Sequence, residues 1–305
     1  MNKETRTKSF VHKSKRKRIK NKLKTKTDLL LKHSGTKSMD SKLYHFFYES
    51  LNSFEDIEHF SEKYDVCCGT LSSIFTQKIV EDVKKSHYRL KQKEKNLVTE
   101  WSKGETFLEL AKKYNYPSTL ISTLILQNIG YSKREIRNYY KNLKMIENQR
   151  IKAELKESLE ADYFFSPRAH KLQEEKGKTG EKLISFWLQK KKCEFICESD
   201  MRAEGREGKT PDFLLKKPVH IYDHEICWIE SKALFGELKE HKNYEKKQFS
   251  EYSKCYGDGL VVYWFGFETD ILKEKKDGYQ ISDFELFKSD LPDRVSQFLE
   301  YQVRW

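Results

Sequence analysis

The stretch Ile226–Lys232, which reads ICWIESK, decides the fold of the C-terminal half. Side chains alternate along a β-strand, so this pattern places Glu230 and Lys232 on one face. An exposed, salt-bridged strand edge would explain this pair. A second carboxylate favours a site instead, because Asp212 opens the preceding apolar run Phe213–Leu215. Pairing of the two strands would bring Asp212 beside Glu230.

Further elements are predicted on both sides of this strand. Apolar periodicity, β-rich runs and their spacing predict helices over 180–191 and 244–255, and strands over 193–197, 212–216, 226–233 and 259–265. The order helix, three strands, helix, strand indicates an α/β domain with a small mixed sheet over residues 166–305.

The paired carboxylates predict a metal site. Carboxylate oxygens suit Mg²⁺, which keeps several waters for substrate contacts, and Mn²⁺ could replace it. A metal held by Asp212 and Glu230 could polarise a phosphate and lower the pKa of a bound water. Lys232 could orient that water, help to deprotonate it or neutralise charge in the transition state.

These residues carry a family resemblance. Pro211-Asp212, followed eighteen residues after the Asp by Glu230-Ser231-Lys232, resembles the PD-(D/E)xK nuclease signature. With the flanks 209–215 (KTPDFLL), 228–236 (WIESKALFG) and 259–266 (GLVVYWFG), the chain resembles the TPD-type family that includes the codanin-interacting nuclease of animals. The resemblance covers roughly residues 45–270. It implies a restriction-endonuclease-like core, helix-turn-helix units before it, metal-dependent cleavage and a codanin-like partner.

Four more positions fit the nuclease interpretation. The resemblance implies that Glu181, at the edge of a buried helical stripe, completes the metal site. A Glu that faces the helix macrodipole is a common alternative explanation. Gln248 and Tyr252 share a helix face and match a Gln-x-x-x-Tyr element found near the substrate in some nucleases of this fold. A surface residue plus a core residue would also explain them. Arg202, just before the Asp212 strand, could contact phosphates.

The region 42–156 is helical and repeats internally, since residues 60–77 align without gaps on residues 110–127. Each copy predicts helix, turn, helix, with the second copy at 105–115 and 120–128. This arrangement resembles a helix-turn-helix pair, whose second helix can enter the major groove while basic flanks hold phosphates. A plain helical bundle is the alternative. The candidate phosphate-binding flanks are Lys84, Lys85, Arg89, Lys133, Arg134 and Arg137.

The net charge of +12 is unevenly distributed. Residues 1–26 hold twelve Lys or Arg against one Glu, and residues 78–156 hold 18 basic against 9 acidic side chains. A disordered basic tail is therefore predicted over residues 1–40. Its cluster at 13–20 indicates either a nuclear-localisation signal or a nucleic-acid-binding arm, so we expect a nuclear location. The codanin-like partner that the family resemblance implies adds an expected cytoplasmic location.

Other sequence features exclude some classes of protein. No apolar run approaches the roughly 20 residues that span a bilayer, so no membrane association is expected. The six cysteines form no zinc-ligand spacing and are expected to be reduced thiols in the core. No pattern indicates an oligomeric state.

Three functions remain open at this point. A Mg²⁺-dependent endonuclease acting on DNA accounts for the largest number of residues. A nuclease-fold binding protein that works mainly through a codanin-like partner is the second interpretation. A transcription regulator that uses the helical repeats is the third.

Overall fold

The computed structural model describes residues 38–221 and 223–291, and these residues form two compact units. One unit combines residues 38–75 with residues 179–291, and the other comprises residues 76–178. This division cuts across the predicted boundaries at 42–156 and 166–305. In the first predicted helical repeat, Thr70 donates to the carbonyl of Phe265, and Ser73 accepts from the backbone N–H of Phe235, so this repeat packs with the C-terminal part of the chain. The predicted basic tail lies outside the described residues, except for residues 38–40.

The first unit is a mixture of helices and strands. Its elements in chain order are α1 (Ser41–Ser50), α2 (Phe54–Tyr64), the start of α3 (Cys68–Lys91), the end of α9 (Pro167–Lys190), β1 (Phe195–Cys197), α10 (Glu198–Ala203), β2 (Phe213–Ile221), β3 (His224–Lys232), α11 (Leu238–Tyr244), a π turn (Glu245–Phe249), α12 (Ser250–Tyr256), β4 (Gly259–Tyr263), α13 (Ile271–Glu274), β5 (Tyr279–Ser282) and a 3₁₀ turn (Phe284–Leu286).

A five-stranded mixed sheet organises this unit, with the strands in chain order from β1 to β5. The pairs β1–β2 and β2–β3 are antiparallel, whereas β3–β4 and β4–β5 are parallel. The α+β character and the small mixed sheet agree with the prediction. The sequence did not predict α10, α11, α13 or β5, and the helix predicted over 244–255 begins with the π turn.

The strand β4 lies in the interior, because all five of its residues are buried. A strand that pairs in parallel on both sides is normally covered on both faces, which explains its continuous apolar sequence. On one face, Trp228 contacts the ring of Tyr252 edge-on and lies directly over Gly259. Glycine at this position therefore makes room for the largest side chain of the core.

The fifty-residue repeat is visible in the backbone. Helix α2 ends at Tyr64 and α5 at Tyr114, and each is followed by a residue in the left-handed conformation, Asp65 or Asn115. Such a C-cap ends a helix and turns the chain towards the next one. The following helices begin at residues 68 and 118, again fifty residues apart. The two copies lie in different units.

The second unit is helical. It contains the remainder of α3, α4 (Glu94–Ser102), α5 (Phe107–Tyr114), α6 (Ser118–Asn128), α7 (Lys133–Lys141), a 3₁₀ turn (Leu143–Met145), α8 (Gln149–Ala161) and the start of α9. Its core includes Leu97, Phe107, Ile121, Ile125 and Leu155.

Helix α6 lies at the centre of this unit, which corrects its predicted role as a groove-reading helix. Seven of its eleven residues are buried, including Thr119 and Ser122. The polar side chains bond within the unit: Thr119 donates to the Asp162 carboxylate, and the Ser122 hydroxyl pairs with that of Tyr140 at 2.7 Å. This helix packs against α4, α5 and α8, and only Asn128 among its residues is exposed, so it presents too little surface to read a major groove.

The cysteines and the apolar helices were also the subject of sequence expectations. All six cysteines are free thiols, but only Cys68 is buried, and Cys255 is exposed. Among the described helices, none combines the length and the apolar composition needed to cross a membrane.

Gly259→Ala will destabilise the first unit, because a Cβ at this position would lie 1.9 Å from the Trp228 ring. We expect a loss of about 3 kcal/mol in the free energy of unfolding, measured by chemical denaturation. Gly177→Ala is the control, since α9 has open space there, and it should stabilise by up to about 1 kcal/mol. Equal effects of the two substitutions would contradict this packing.

Candidate functional site

The paired ends of β2 and β3 bring two carboxylates together. Phe213 lies opposite Ile229 in the strand register, so Asp212 reaches the neighbourhood of Glu230. The backbone N–H of Asp212 donates to Glu230 Oε2 at 3.3 Å, and the backbone N–H of Ser231 donates to Asp212 Oδ2 at 2.7 Å. Glu230 is 4% exposed. The two acids are thus fixed by backbone groups of each other's strands.

Lys232 lies on the same face of β3 as Glu230, as strand alternation predicts. Its Nζ donates to Glu230 Oε1 at 2.6 Å and to Gln248 Oε1 at 3.1 Å. The ammonium also lies 4.6 Å from the ring centroid of Tyr244 and 5.8 Å from that of Phe249. A carboxylate, an amide and two aromatic rings therefore surround one cation in a largely buried place.

Glu181, in α9, lies close enough to Asp212 for the two charges to interact. Its charge contributes to raising the pKa of Asp212, after burial and the charge of Glu230. The residue before it, Gly180, explains the close approach of the helix: a Cβ there would lie 2.5 Å from Trp264 Nε1 and 2.9 Å from Ser231 Oγ. The sequence showed this glycine only as the start of a predicted helix.

Burial and mutual repulsion make the carboxylate pair energetically costly when ionised. Burial raises the pKa of Asp212 well above its ordinary value, and the Glu230 charge adds to this shift. Burial also raises the pKa of Glu230, against the opposing effect of the Lys232 ammonium. One ammonium thus faces the buried Glu230 and the half-buried Asp212, with a third acid, Glu181, within electrostatic reach.

The chemistry of this donor set fits a hard divalent cation. Among the described residues, no group of three or more His, Cys, Asp and Glu side chains forms a complete metal cage. Mg²⁺ does not need one, because it is commonly held by one or two carboxylates and keeps several waters. Asp212 and Glu230 provide these two carboxylates, and a cation between them would relieve their repulsion.

The two residues of the predicted Gln-x-x-x-Tyr element have different surroundings. Gln248 contacts Lys232, as described above. Tyr252 is only 2% exposed and packs against Trp228 with ring centroids 5.2 Å apart, so the prediction of direct substrate contact is corrected to a core position. Burial raises the pKa of the Tyr252 hydroxyl, and the charges of Glu230 and Asp212 add to the effect.

Arg202 is exposed and bound to a carboxylate that sequence reasoning left without a role. Its Nη2 donates to Glu198 Oε1 at 2.6 Å. The backbone N–H of Glu198 in turn donates to the carbonyl of Asp212 at 3.0 Å, and the charge of Glu198 raises the pKa of Glu230. Glu198 therefore belongs to the surroundings of the site. Its position after a three-residue strand gave no periodic signal.

The predicted basic flanks in the second unit are all exposed, but their partners differ. Lys85 forms an ion pair with Glu81 at 3.2 Å, and Lys84 also has a partner. Within the described residues, no carboxylate forms a salt bridge with Arg89 or with three cations of α7, namely Lys133, Arg134 and Arg137. Helix α7 therefore presents the clearest unpaired positive surface of the predicted set.

The raised pKa of Asp212 makes stability depend on pH in a defined direction. The folded chain retains a proton that the unfolded chain loses, so in metal-free buffer stability falls as pH rises above the ordinary Asp value of about 4. Asp212→Asn, which still accepts the Ser231 N–H, should flatten this decline and raise the melting temperature at pH 7. Glu225→Gln, on the same strand but exposed, is the control. A lower melting temperature for Asp212→Asn at pH 7 would contradict the repulsion.

Comparison with known proteins gives the chain a family. The family model described as "Protein of unknown function TPD sequence-motif" matches residues 147–285. CDAN1-interacting nuclease 1 of Mus musculus is 32% identical over 225 residues, covering 68% of this chain and 80% of the relative, and that of Homo sapiens is 31% identical with the same coverage. The Xenopus laevis protein of the same name is 28% identical, covering 70% of this chain and 76% of the relative. No solved structure matches the chain. The chain therefore belongs to the family of CDAN1-interacting nuclease 1.

Proposed function

We propose that this chain is a metal-dependent nuclease that hydrolyses phosphodiester bonds in DNA. The observation that carries the proposal is the hydrogen-bonded cluster of Asp212, Glu230 and Lys232 where β2 meets β3. A cluster of two acids and one cation on paired strands is the arrangement that the PD-(D/E)xK motif requires. The word nuclease in the names of the relatives supports the same activity.

A restriction-endonuclease-like core is part of this proposal. Its support is the strand order, in which an antiparallel hairpin bearing the motif is followed by a parallel strand, with α9 supplying Glu181 beside the sheet. Helix α11 and the π turn that follows it supply Tyr244 and Gln248, which contact Lys232.

Asp212 and Glu230, with Glu181 near them, would hold the Mg²⁺ ion, and Mn²⁺ could replace it. When bound, the ion would polarise the scissile phosphate and lower the pKa of a bound water. The protein's own contribution is a rigid set of acceptors. The two backbone hydrogen bonds fix both carboxylates before any ligand arrives, so little reorganisation is needed.

Lys232 is proposed to act on the reacting groups. Its ammonium is confined by Glu230, Gln248 and the Tyr244 ring, so it has a defined position beside the acids. From there it can hydrogen-bond an attacking water or neutralise negative charge that develops on the phosphate. Confinement restricts the lysine rotamers in advance and favours either role.

The DNA is proposed to contact the exposed cations of the second unit, mainly those of α7. The α6 helix is buried, so we propose contact with the phosphate backbone in place of base reading by a recognition helix. Lys133 and Arg137 are one turn apart and share a face of α7. Arg134 of α7 and Lys84, Lys85 and Arg89 of α3 extend the proposed set.

A codanin-like protein is proposed as a partner, because the relatives are named for an interaction with CDAN1. This supports an alternative in which the nuclease fold serves mainly for assembly. Cleavage assays separate the two, since an assembly protein would bind its partner without cutting DNA. The nuclear and cytoplasmic location also stays a proposal, and the basic cluster on which it rests lies outside the described residues.

Purified protein should cut linear, nicked, flapped or four-way DNA with Mg²⁺ or Mn²⁺ and not with a chelator. Asp212→Ala and Glu230→Ala should reduce cleavage to background, and Lys232→Ala should lower the rate by about 100-fold or more. The matched control is Glu225→Ala, an exposed acid on the same strand as Glu230. Cleavage that survives Asp212→Ala would refute the proposed centre.

The proposed phosphate contacts can be tested by the salt dependence of DNA binding. The double substitution Lys133→Ala and Arg137→Ala should flatten the slope of log K against log salt by about 2, since each lost phosphate contact removes about 0.9. Lys156→Ala is the control, because its exposed ammonium already lies near Glu160 in the same unit. The same slope for both proteins would exclude α7 from the interface.

A further inference from the structure

The chain leaves regular α-helical geometry at the point where it contacts Lys232. Helix α11 ends at Tyr244, the π turn occupies Glu245–Phe249, and α12 follows. An extra residue in a helical turn rotates everything after it by about 100°. The π turn supplies the amide of Gln248 and the ring of Phe249 to Lys232. Tyr244, which directly precedes the turn, supplies a second ring. Isolated π turns are rare and need support from surrounding contacts.

Glu245, the first residue of the π turn, is anchored from a different part of the chain. Its carboxylate is 6% exposed, and Oε1 accepts two hydrogen bonds. The Tyr279 hydroxyl donates at 2.5 Å and the backbone N–H of Lys276 donates at 2.7 Å. Both donors belong to β5 or the loop before it. A buried carboxylate with two such donors fixes the start of the turn against the sheet.

His241 continues this chain of hydrogen bonds into the core. It is 1% exposed; Nε2 lies 3.0 Å from the Tyr279 hydroxyl and Nδ1 lies 2.8 Å from the Tyr263 hydroxyl. The Tyr279 hydroxyl donates its hydrogen bond to Glu245, so the hydroxyl oxygen must accept the hydrogen bond from His241 Nε2–H. The bare Nδ1 then accepts from Tyr263. The protons therefore all point one way, from Tyr263 through His241 and Tyr279 to Glu245.

The network returns to the strand that carries the lysine. Tyr263, its first member, is the direct register partner of Lys232 across β3 and β4. Burial lowers the pKa of His241 to about 4, so the imidazole stays neutral and keeps one donor and one acceptor at ordinary pH. The groups behind Lys232 are thus tied to the neighbouring strand by a continuous set of buried hydrogen bonds.

We propose that His241, Tyr279 and Glu245 are positioning residues for Lys232. They hold the π turn in the one arrangement that places Tyr244, Gln248 and Phe249 around the ammonium. The consequence for catalysis rests on the proposed nuclease function. The positioning itself does not, because it concerns the exposure and order of Lys232 in the free protein.

The first test measures the reactivity of Lys232 towards an amine-acylating reagent, by peptide mass spectrometry on the whole chain, with exposed Lys246 as an internal reference. Tyr279→Phe leaves His241 Nε2–H without an acceptor and Glu245 with one donor. It should raise Lys232 labelling about five- to tenfold, as should Glu245→Ala. Glu245→Gln keeps the accepting oxygen and should return labelling close to that of the wild type.

Lys247→Ala is the matched control, since its exposed side chain lies on the same π turn. Unchanged Lys232 labelling in folded Tyr279→Phe protein, or equal labelling in Glu245→Gln and Glu245→Ala, would overturn the proposal. Where a variant does not fold, nitrogen-15 NMR of the wild-type imidazole decides. The Nε2–H tautomer is expected from pH 6 to 8, in line with a pKa of about 4. An Nδ1–H tautomer would reverse the hydrogen-bond direction and contradict the network.

The same variants separate failure of this proposal from failure of the nuclease proposal. If the wild type cuts DNA, Tyr279→Phe should lower kcat and leave KM nearly unchanged, because Lys232 loses order while the α7 cations are untouched. If the wild type cuts nothing, the labelling and NMR results still decide whether the network positions Lys232.

Discussion

Two reciprocal hydrogen bonds between the ends of β2 and β3 are the constraint on which the rest of the site depends. Asp212 donates its backbone N–H to the Glu230 carboxylate, and Ser231 donates its backbone N–H to the Asp212 carboxylate. They hold two acids close together, where burial and then the charge of Glu230 raise the pKa of Asp212. The pair can be ionised only if positive charge is close. Lys232 supplies part of it, and a divalent cation is the ligand whose charge and oxygen preference would supply the remainder.

This constraint explains why distant parts of the chain converge on one strand. Because Gly180 has no side chain, α9 can lie close against Ser231 and Trp264, which brings Glu181 within electrostatic reach of Asp212. On the opposite side, the π turn supplies Gln248 and two aromatic rings to Lys232. Its own geometry depends on the buried chain of hydrogen bonds that ends at Glu245. Packing, backbone geometry and charge thus act on the same three side chains.

The sequence predicted those parts of the fold that depend on local alternation. The shared face of Glu230 and Lys232 follows from strand periodicity, and Asp212 follows from the start of a second apolar strand. The repeat at fifty residues also has its counterpart in the backbone.

Packing between residues far apart in the chain could not be predicted from the sequence. The apolar residues of α6 indicate a buried helix, but Thr119 and Ser122 are polar, and the partners that satisfy them, Asp162 and Tyr140, come from later in the chain. The sequence did not predict the π turn, because one extra residue hardly alters a short apolar pattern. It also did not decide whether Tyr252 is a surface or a core side chain.

The central claim, that Asp212 and Glu230 form a cation site, is tested most directly by calorimetric titration of Mg²⁺ and of Mn²⁺ into metal-free protein. The wild type should bind with heat that saturates, and the bound ion should release protons, because the acids with raised pKa values must ionise to coordinate it. Glu230→Ala should abolish this binding while the protein stays folded. Binding of equal affinity in wild type and Glu230→Ala, or no binding by folded wild type, would contradict a metal centre at Asp212 and Glu230.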